Sequence, residues 1–291
     1  MSDPLDLAQL RTIVTIADVG GFHRAAASLH LSQATVSQHV RQLERRLGQQ
    51  LVVKAGRGTR FTAEGEQLLV EARRLLAASE EMLERLGAAA PGQIVVGATE
   101  QAADQILPGL LRAVDAAFPG RDVRFRLDRS RQLTEAVAAG TIDVAVVLGS
   151  SAAVTGIEVG SLPLQWYSAP SFRLPVSDGP WPLVAFDEPC GMRARASATL
   201  AELGHAISVR AESTTLEGVL AAVRAGLGLT VLPGLGRVPE GTQICADLPS
   251  PGRTGVRIAT RRGLVPAVEA AARTAVTEFL NELGSGSSRA A

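Results

Sequence analysis

The stretch "HLSQATVSQHVRQLERRLG", from His30 to Gly48, constrains the fold more than any other part of the chain. Val36, Val40, Leu43 and Leu47 recur at intervals of four, three and four residues, so on a helix they form one stripe that must be buried. At about 100° per residue, Ala34, Gln38, Arg41 and Arg45 point the other way, with Thr35, Ser37 and Gln42 beside them. Ser32 stands where an N-cap belongs, its hydroxyl placed to accept from free amides of the first turn.

The flanking segments supply packing partners. Leu7 to Val19 carries Leu7, Leu10, Val14 and Ala17 at helical spacing, and Gly20 and Gly21 end it. In "FHRAAASLH", Ala25, Ala26 and Leu29 form a low-profile face on which another helix can pack closely. After the central helix, "LVVKAGRGTRFTAEG" sets turn glycines Gly56 and Gly58 among Lys54, Arg57 and Arg60 between short β-prone runs, the pattern of a basic hairpin. The order predicts a winged helix-turn-helix.

Charge distribution points to the partner. Lys and Arg balance Asp and Glu at 29 each over the chain, yet from Phe22 to Arg60 seven cations face Glu44 alone, a local charge of +6. Screening confines a field to about 8–10 Å, so this segment attracts a polyanion whatever the total charge. Amides and hydroxyls at a helix start can read base edges in a DNA major groove, while arginines and free helix-end amides hold phosphates. The candidates toward bases are Gln33, Ala34, Thr35, Ser37 and Gln38, with Ser32 at the helix start; those toward phosphate are Arg24, Arg41, Arg45, Arg57 and Arg60. A merely solvated helix face is the competing reading of the same pattern.

From Thr62 to about Leu86 a long helix is predicted, free of Pro and free of Gly after Gly65. Leu68, Ala72, Leu75, Ser79, Met82 and Leu86 alternate steps of four and three, while Leu69, Leu76 and Leu83 repeat every seven. Such a seam packs either on the chain's own domain or on a second copy.

"GAAAPGQ" then marks a linker, after which "QIVVG", Ala102 to Phe118, "DVRFRL", Leu133 to Ala139 and "DVAVVLG" alternate β-like and helical character. This predicts βαβ units and a parallel sheet covered by helices, with ligands beyond the carboxyl ends of the strands. A second unit begins near Pro163, a final helix from Val265 to Leu283 returns to the first, and "GSGSSRAA" reads as a disordered tail. Strand ends and helix starts give the cleft candidates Thr99, Glu100, Arg129, Ser130, Arg131, Cys190, Arg193, Ser213, Thr214 and Thr215, with Trp166 as a stacking surface. Hydroxyls at a helix start with an arginine near favour an anion, although Thr214 with Glu217 also fits a capping box and Trp166 also fits a core.

The signals "LAQLRTIVTIADVGGFHRAA", "LSQATVSQHVRQLERRLG" and "GRGTRFTAEGEQLL" resemble, in order and without large gaps, the DNA-binding head of LysR-type transcriptional regulators. The similarity extends over almost the entire chain, and "QWYSAP", "DEPCGMR" and "AVRAGLGLTVLP" are most similar to an LrhA-like branch. Ala34 departs from the proline usual in that recognition helix, and Gln38 from a frequent arginine. The resemblance implies an α/β fold with an all-α-rich winged helix-turn-helix head and two Rossmann-like subdomains hinged as in periplasmic binding proteins. Its implied organisation is a DNA-binding domain at 1–61, a dimerisation helix at 62–89 and an effector-binding domain at 90–291. Subdomain I takes 90–162 and 264–283, and subdomain II takes 163–263. It further implies a homodimer or homotetramer, double-stranded DNA, RNA polymerase and a small-molecule effector as partners, and no cofactor.

Other classes find less support. The chain lacks G-x-S-x-G, H-E-x-x-H and P-loop patterns, and the glycines of "AGLGLTVLPGLG" end a helix rather than begin one, so no catalytic residue set emerges. No apolar run reaches the length of a membrane span and "MSDPLDLAQL" is not a secretory signal, so a cytoplasmic protein without membrane contact is expected. Two cysteines, Cys190 and Cys245, lie 55 residues apart without metal-ligand spacing. A thiol-based redox sensor built on Cys190 is the alternative regulator, and a solute-binding or catalytic α/β protein with a helical interaction head is the rival class.

Overall fold

A computed structural model describes residues 4–55, 58–86, 92–118, 120–149, 154–174 and 179–287. The chain divides into two compact units, one running to Gln93 and one starting at Ile94, with Ala138–Thr141 and Arg261–Gly263 clustering with the first.

The amino-terminal unit contains α1 (Leu7–Val19), α2 (Phe22–Ser28), α3 (Gln33–Leu47), the hairpin β1 (Val52–Ala55) and β2 (Gly58–Phe61), and α4 (Ala63–Arg85). Asp6 caps α1 by accepting the Ala8 amide at 2.8 Å, and Gly20 ends it at φ 73°, a left-handed position where a Cβ would be strained. One cluster buries Ile16, Ala25, Ala26, Val36 and Val40, so the small side chains of α2 do let α3 pack closely. A second joins Leu10, Ile13, Leu43 and Leu51 to Leu69, Ala72 and Leu76 of α4. The predicted stripes are shorter than expected. Leu7 is 42% exposed and Leu47 37%, because each lies in an outermost turn past the facing helices, and Ile13 and Ile16 carry the burial on α1 instead.

Two other expectations change here. Gly58 pairs with Ala55 as the first residue of β2, so it lies in the strand rather than in the turn; Gly56 and Arg57 fall outside the described residues. The heptad pattern of α4 splits into two environments. Leu69, Ala72 and Leu76 are buried in the unit's own core, whereas Met82 and Leu86 are 48% and 73% exposed.

The second unit begins with β3 (Gln93–Ala98), α5 (Glu100–Ala103), α6 (Leu107–Ala117), β4 (Asp122–Leu127), α7 (Ser130–Ala138), β5 (Val144–Leu148) and β6 (Ile157–Ser168). It continues through β7 (Trp181–Phe186), α8 (Gly191–Glu202), β8 (Ile207–Ser213), α9 (Leu216–Arg224), β9 (Thr230–Pro233), β10 (Gln243–Ile244), β11 (Arg253–Thr260) and α10 (Pro266–Ser287). The stretch expected as one helix from Ala102 to Phe118 is two, because Pro108 opens α6 and cannot serve a helix arriving from before it. The carboxyl-terminal helix continues through Ser287, into the segment expected to be a disordered tail, since extending an established helix costs far less than nucleating one; residues 288–291 lie outside the described ones.

The main sheet has the order β10-β6-β11-β5-β3-β4 with β9 also on β6, and it is mixed rather than parallel. β3 and β5 run parallel, while β11 is antiparallel to both β5 and β6. β6 changes partner midway: Ile157 to Pro163 pair with β11, and Leu164 to Tyr167 with β9. Beyond that change, β7 and β8 pair in parallel, and Leu183 bridges to Leu229 just before β9. Two lobes result. In the first, Val144 and Val146 face the cluster with α6 and α10, and the alternate Ala145 and Val147 face that with Leu133 of α7. In the second, Leu183 and Ala185 face α8, whereas Val184 and Phe186 face α9.

Candidate nucleic-acid interface and interlobe cleft

The orientation of α3 is fixed from its inner side. Ser32 caps it, its hydroxyl accepting the Thr35 amide at 3.0 Å and lying 2.8 Å from the Thr35 hydroxyl. Thr12 of α1 bonds His39 at 2.8 Å, and the Gln9 amide donates to Gln42 at 2.9 Å, so Gln42 turns toward α1 rather than outward. Opposite these, Gln33, Ala34, Gln38, Arg41 and Arg45 are exposed and Thr35 and Ser37 half-buried. Among the described residues the side chains of Gln33 and Gln38 have no partner in the chain. Arg45 leans on the Arg41 carbonyl at 3.3 Å.

The hairpin is set against the same helix by a residue that the sequence reading counted only as a charge. One Glu44 carboxylate oxygen accepts the amides of Leu51 at 2.9 Å and Val52 at 3.4 Å, pinning the start of β1 to the last turns of α3. Thr62 closes the hairpin by donating to the Gln50 carbonyl at 2.7 Å and caps α4 by accepting the Gly65 amide at 3.0 Å. Lys54 and Arg60 are exposed on the hairpin. Arg24, expected toward phosphate, instead donates to the Gly20 carbonyl at 2.5 Å, because the end of α1 offers an unpaired acceptor within reach. Arg57 lies outside the described residues.

In the second unit the cleft candidates divide. Glu100 and Arg129 do reach across between lobes: a Glu100 carboxylate oxygen accepts the amide of Leu216 at the start of α9, and the Arg129 guanidinium pairs with Asp187 and donates to its carbonyl at 3.0 Å. Asp187, the residue after β7, was missed; only its position at a strand end could have flagged it. Ser130 is occupied locally, donating to the Leu148 carbonyl at 2.6 Å and accepting the Leu148 amide at 3.0 Å. Arg131 pairs with Glu135 on its own helix. Thr99 is 3% exposed, and its hydroxyl has no partner among the described residues.

Cys190 is half-buried at the start of α8. Arg193 is held between Glu188 at 3.3 Å and Glu212, so two carboxylates already answer its charge. Ser213 accepts the Thr215 amide at 3.1 Å, and a Cβ at Gly218 would stand 2.1 Å from its hydroxyl, which requires glycine there. Two expectations are corrected. The cap of α9 is Thr215, accepting the Gly218 amide at 3.2 Å, rather than Thr214, which is exposed; Glu217 pairs with Arg224 at 2.7 Å instead of closing a capping box. Trp166 is not a stacking surface: it is 2% exposed among Leu164, Leu183 and Leu200, and its indole donates to the Pro249 carbonyl at 2.8 Å. Cys245 packs on that cluster and donates to Ser168 at 3.2 Å, while Cys190 packs on the cluster beside α9.

A cavity of about 320 Å³ lies between α5 and α9, its wall including Gln101, Asp104, Leu216, Leu220, Arg224 and Arg237. None of the predicted cleft residues lines it. No described helix is long and apolar enough to cross a membrane.

A helix with an open polar face, a basic hairpin tied to it and a two-lobed α/β unit define a DNA-binding regulator with a ligand-binding type of domain. Residues 7–66 match the family model "Bacterial regulatory helix-turn-helix protein, lysR family", and residues 87–280 match "LysR substrate binding domain". The chain belongs to the LysR family of transcriptional regulators. It is 32% identical over 228 residues to the HTH-type transcriptional regulator PecT of Dickeya dadantii, covering 78% of this chain and 72% of PecT. In fold it is similar to ArgP of Mycobacterium tuberculosis, with a TM-score of 0.73 at 22% identity over 94% of this chain and 98% of that one. It is also similar to full-length LysG of Corynebacterium glutamicum with bound effector Arg, with a TM-score of 0.66 at 22% identity over 94% and 99%.

Proposed function

We propose that this regulator reads DNA with the outer face of α3. Gln33, Ala34, Thr35, Ser37 and Gln38 meet base edges, with Ser32 at the entry, and Arg41, Arg45, Arg57 and Arg60 meet phosphate. The observation that carries the reading is the pairing of an anchored inner side with Gln33 and Gln38 outside, exposed and without a partner among the described residues. The exposed end of α4 pairs two copies, whose heads then reach half-sites spaced by whole turns of duplex. A small molecule in the cleft between the lobes shifts the balance between two lobe arrangements by its difference in affinity for them, and so alters the spacing of the heads. The similarity in fold to LysG, a protein with bound effector Arg, supports a small-molecule ligand for this chain. The division into a head, a connecting helix and two subdomains, a cytoplasmic location, contact with RNA polymerase and the absence of catalysis belong to the same reading.

Mobility shift on the DNA flanking its own gene tests it, with a retarded, sequence-selective complex expected. Indifference to every duplex at low ionic strength would refute it. Sedimentation of a Met82→Asp variant tests the pairing of copies, and an unchanged oligomer would remove α4 from that role.

A further inference from the structure

At the cleft the two lobes are joined by the chain's own charged groups. The first amides of a helix lack intrahelical partners and carry a partial positive charge. On α9 the Thr215 cap serves the Gly218 amide and leaves that of Leu216 for an outside acceptor. Glu100, 116 residues earlier and on the other lobe, is that acceptor. Arg129 and Asp187 make a second link of the same kind. Next to Glu100, Thr99 buries a hydroxyl without a partner among the described residues, a rare state that leaves polar capacity for a group entering beside the carboxylate. Gln101 and Leu216, flanking the link on either lobe, both line the cavity of about 320 Å³, so a small molecule has room next to it.

We infer that Glu100 is a tethered ligand: its carboxylate fills the seat at the start of α9 from within the chain and latches the lobes with no effector bound. The effector that releases the latch is a small carboxylate competing for the same amide. This deepens, and rests on, the reading of the cleft as the effector site. Because the latch is a contact within the chain, it can be measured without an effector.

Amide hydrogen exchange on the full-length protein, followed in peptides spanning residues 211–220, is the test. In Glu100→Leu and Glu100→Ala, neither of which has an acceptor, the Leu216 amide is expected to exchange about tenfold faster than in the wild type, the loss of one charge-assisted bond. Acetate in the tens of millimolar should restore protection to Glu100→Ala and acetamide should not. Wild-type exchange should ignore both, since a tethered group competes at high effective concentration. Equal exchange in the wild type and Glu100→Leu overturns the latch, and so does a Glu100→Ala seat that ignores acetate. Should Glu100→Ala not fold, Glu100→Leu, of similar bulk and without an acceptor, carries the first comparison. Failure of the effector reading shows separately, as no small molecule altering DNA binding while Leu216 protection still depends on Glu100.

Discussion

Polar side chains on α3 and polar side chains in the cleft differ in where their hydrogen bonds go. Among the described residues nothing meets Gln33 and Gln38 on the head, whereas Glu100, Arg129, Ser130, Arg193 and Ser213 all have partners in their own unit. A convex helix face has no second wall, so its groups keep their water until a large partner arrives. A cleft has two walls, and each can satisfy the other. A ligand for α3 therefore competes with solvent, while a ligand for the cleft competes with the protein.

The contrast breaks most completely if α3 loses its anchor. Leu43 is fully buried against Leu10, Ile13 and Leu51, and Leu43→Ala should cost about 2–5 kcal/mol through lost burial and the cavity left behind. Denaturant unfolding followed by far-ultraviolet circular dichroism should show that loss, and DNA affinity should fall with it. An unfolding midpoint equal to that of the wild type would mean that the stripe does not hold the reading face in place.

The second unit's side of the comparison is sharpened by Tyr167, the chain's single tyrosine, buried in the core of the second lobe. Burial pushes its phenol up to about 12 from an ordinary 10, and its hydroxyl donates to Gln165 at 2.8 Å. Between those values the unfolded chain has lost the proton that the folded one keeps, so stability falls as pH rises through the window and is unaffected by this group below it. At about 1.4 kcal/mol per unit the contribution is about 2–3 kcal/mol. Ultraviolet titration at 295 nm reads this one residue, and a midpoint near 10 in folded protein would show that the second lobe does not seal its polar groups as described.

The same contrast explains what could be read from the sequence. On α3 the periodic spacing of Val36, Val40 and Leu43 names the buried side, and so by subtraction the open one, because both faces follow from one local geometry. The cleft offers no such rule. Glu100 meets Leu216 over 116 residues and Arg129 meets Asp187 over 58, so no spacing announces either contact. Trp166 looked available because its strand end was visible and its neighbours were not. Leu69 and Leu83 obey one heptad yet lie in different environments, since periodicity fixes a face but not what covers it. Glu44 shows the reverse: as a lone acid among cations it entered only the charge count, but its carboxylate holds β1 in place.

A smaller effect separates base reading from phosphate holding. Gln38→Ala should cost about 1–3 kcal/mol on the preferred operator and little on an altered one, the signature of a lost base contact. Arg60→Ala should weaken all sequences alike and flatten the dependence of affinity on salt. Fluorescence anisotropy titrations on matched and mutated duplexes at several salt concentrations distinguish the two. Parallel losses from both substitutions would make α3 a phosphate clamp.

The least effect belongs to Ser32, and its chemistry divides two roles that one hydroxyl could combine. Removing the cap in Ser32→Ala should lower stability by about 1 kcal/mol, because the Thr35 amide loses its acceptor. Aspartate caps a helix as well as serine does, and its charge suits the positive end of the helix, so Ser32→Asp should keep that stability. If the start of α3 lies against the DNA backbone, the same aspartate brings a negative charge to phosphate and weakens binding to every duplex. Wild-type DNA affinity in Ser32→Asp would leave the cap intact and turn the amino terminus of α3 away from the backbone, so that the outer face would have to enter the groove by its middle, at Gln38 and Arg41.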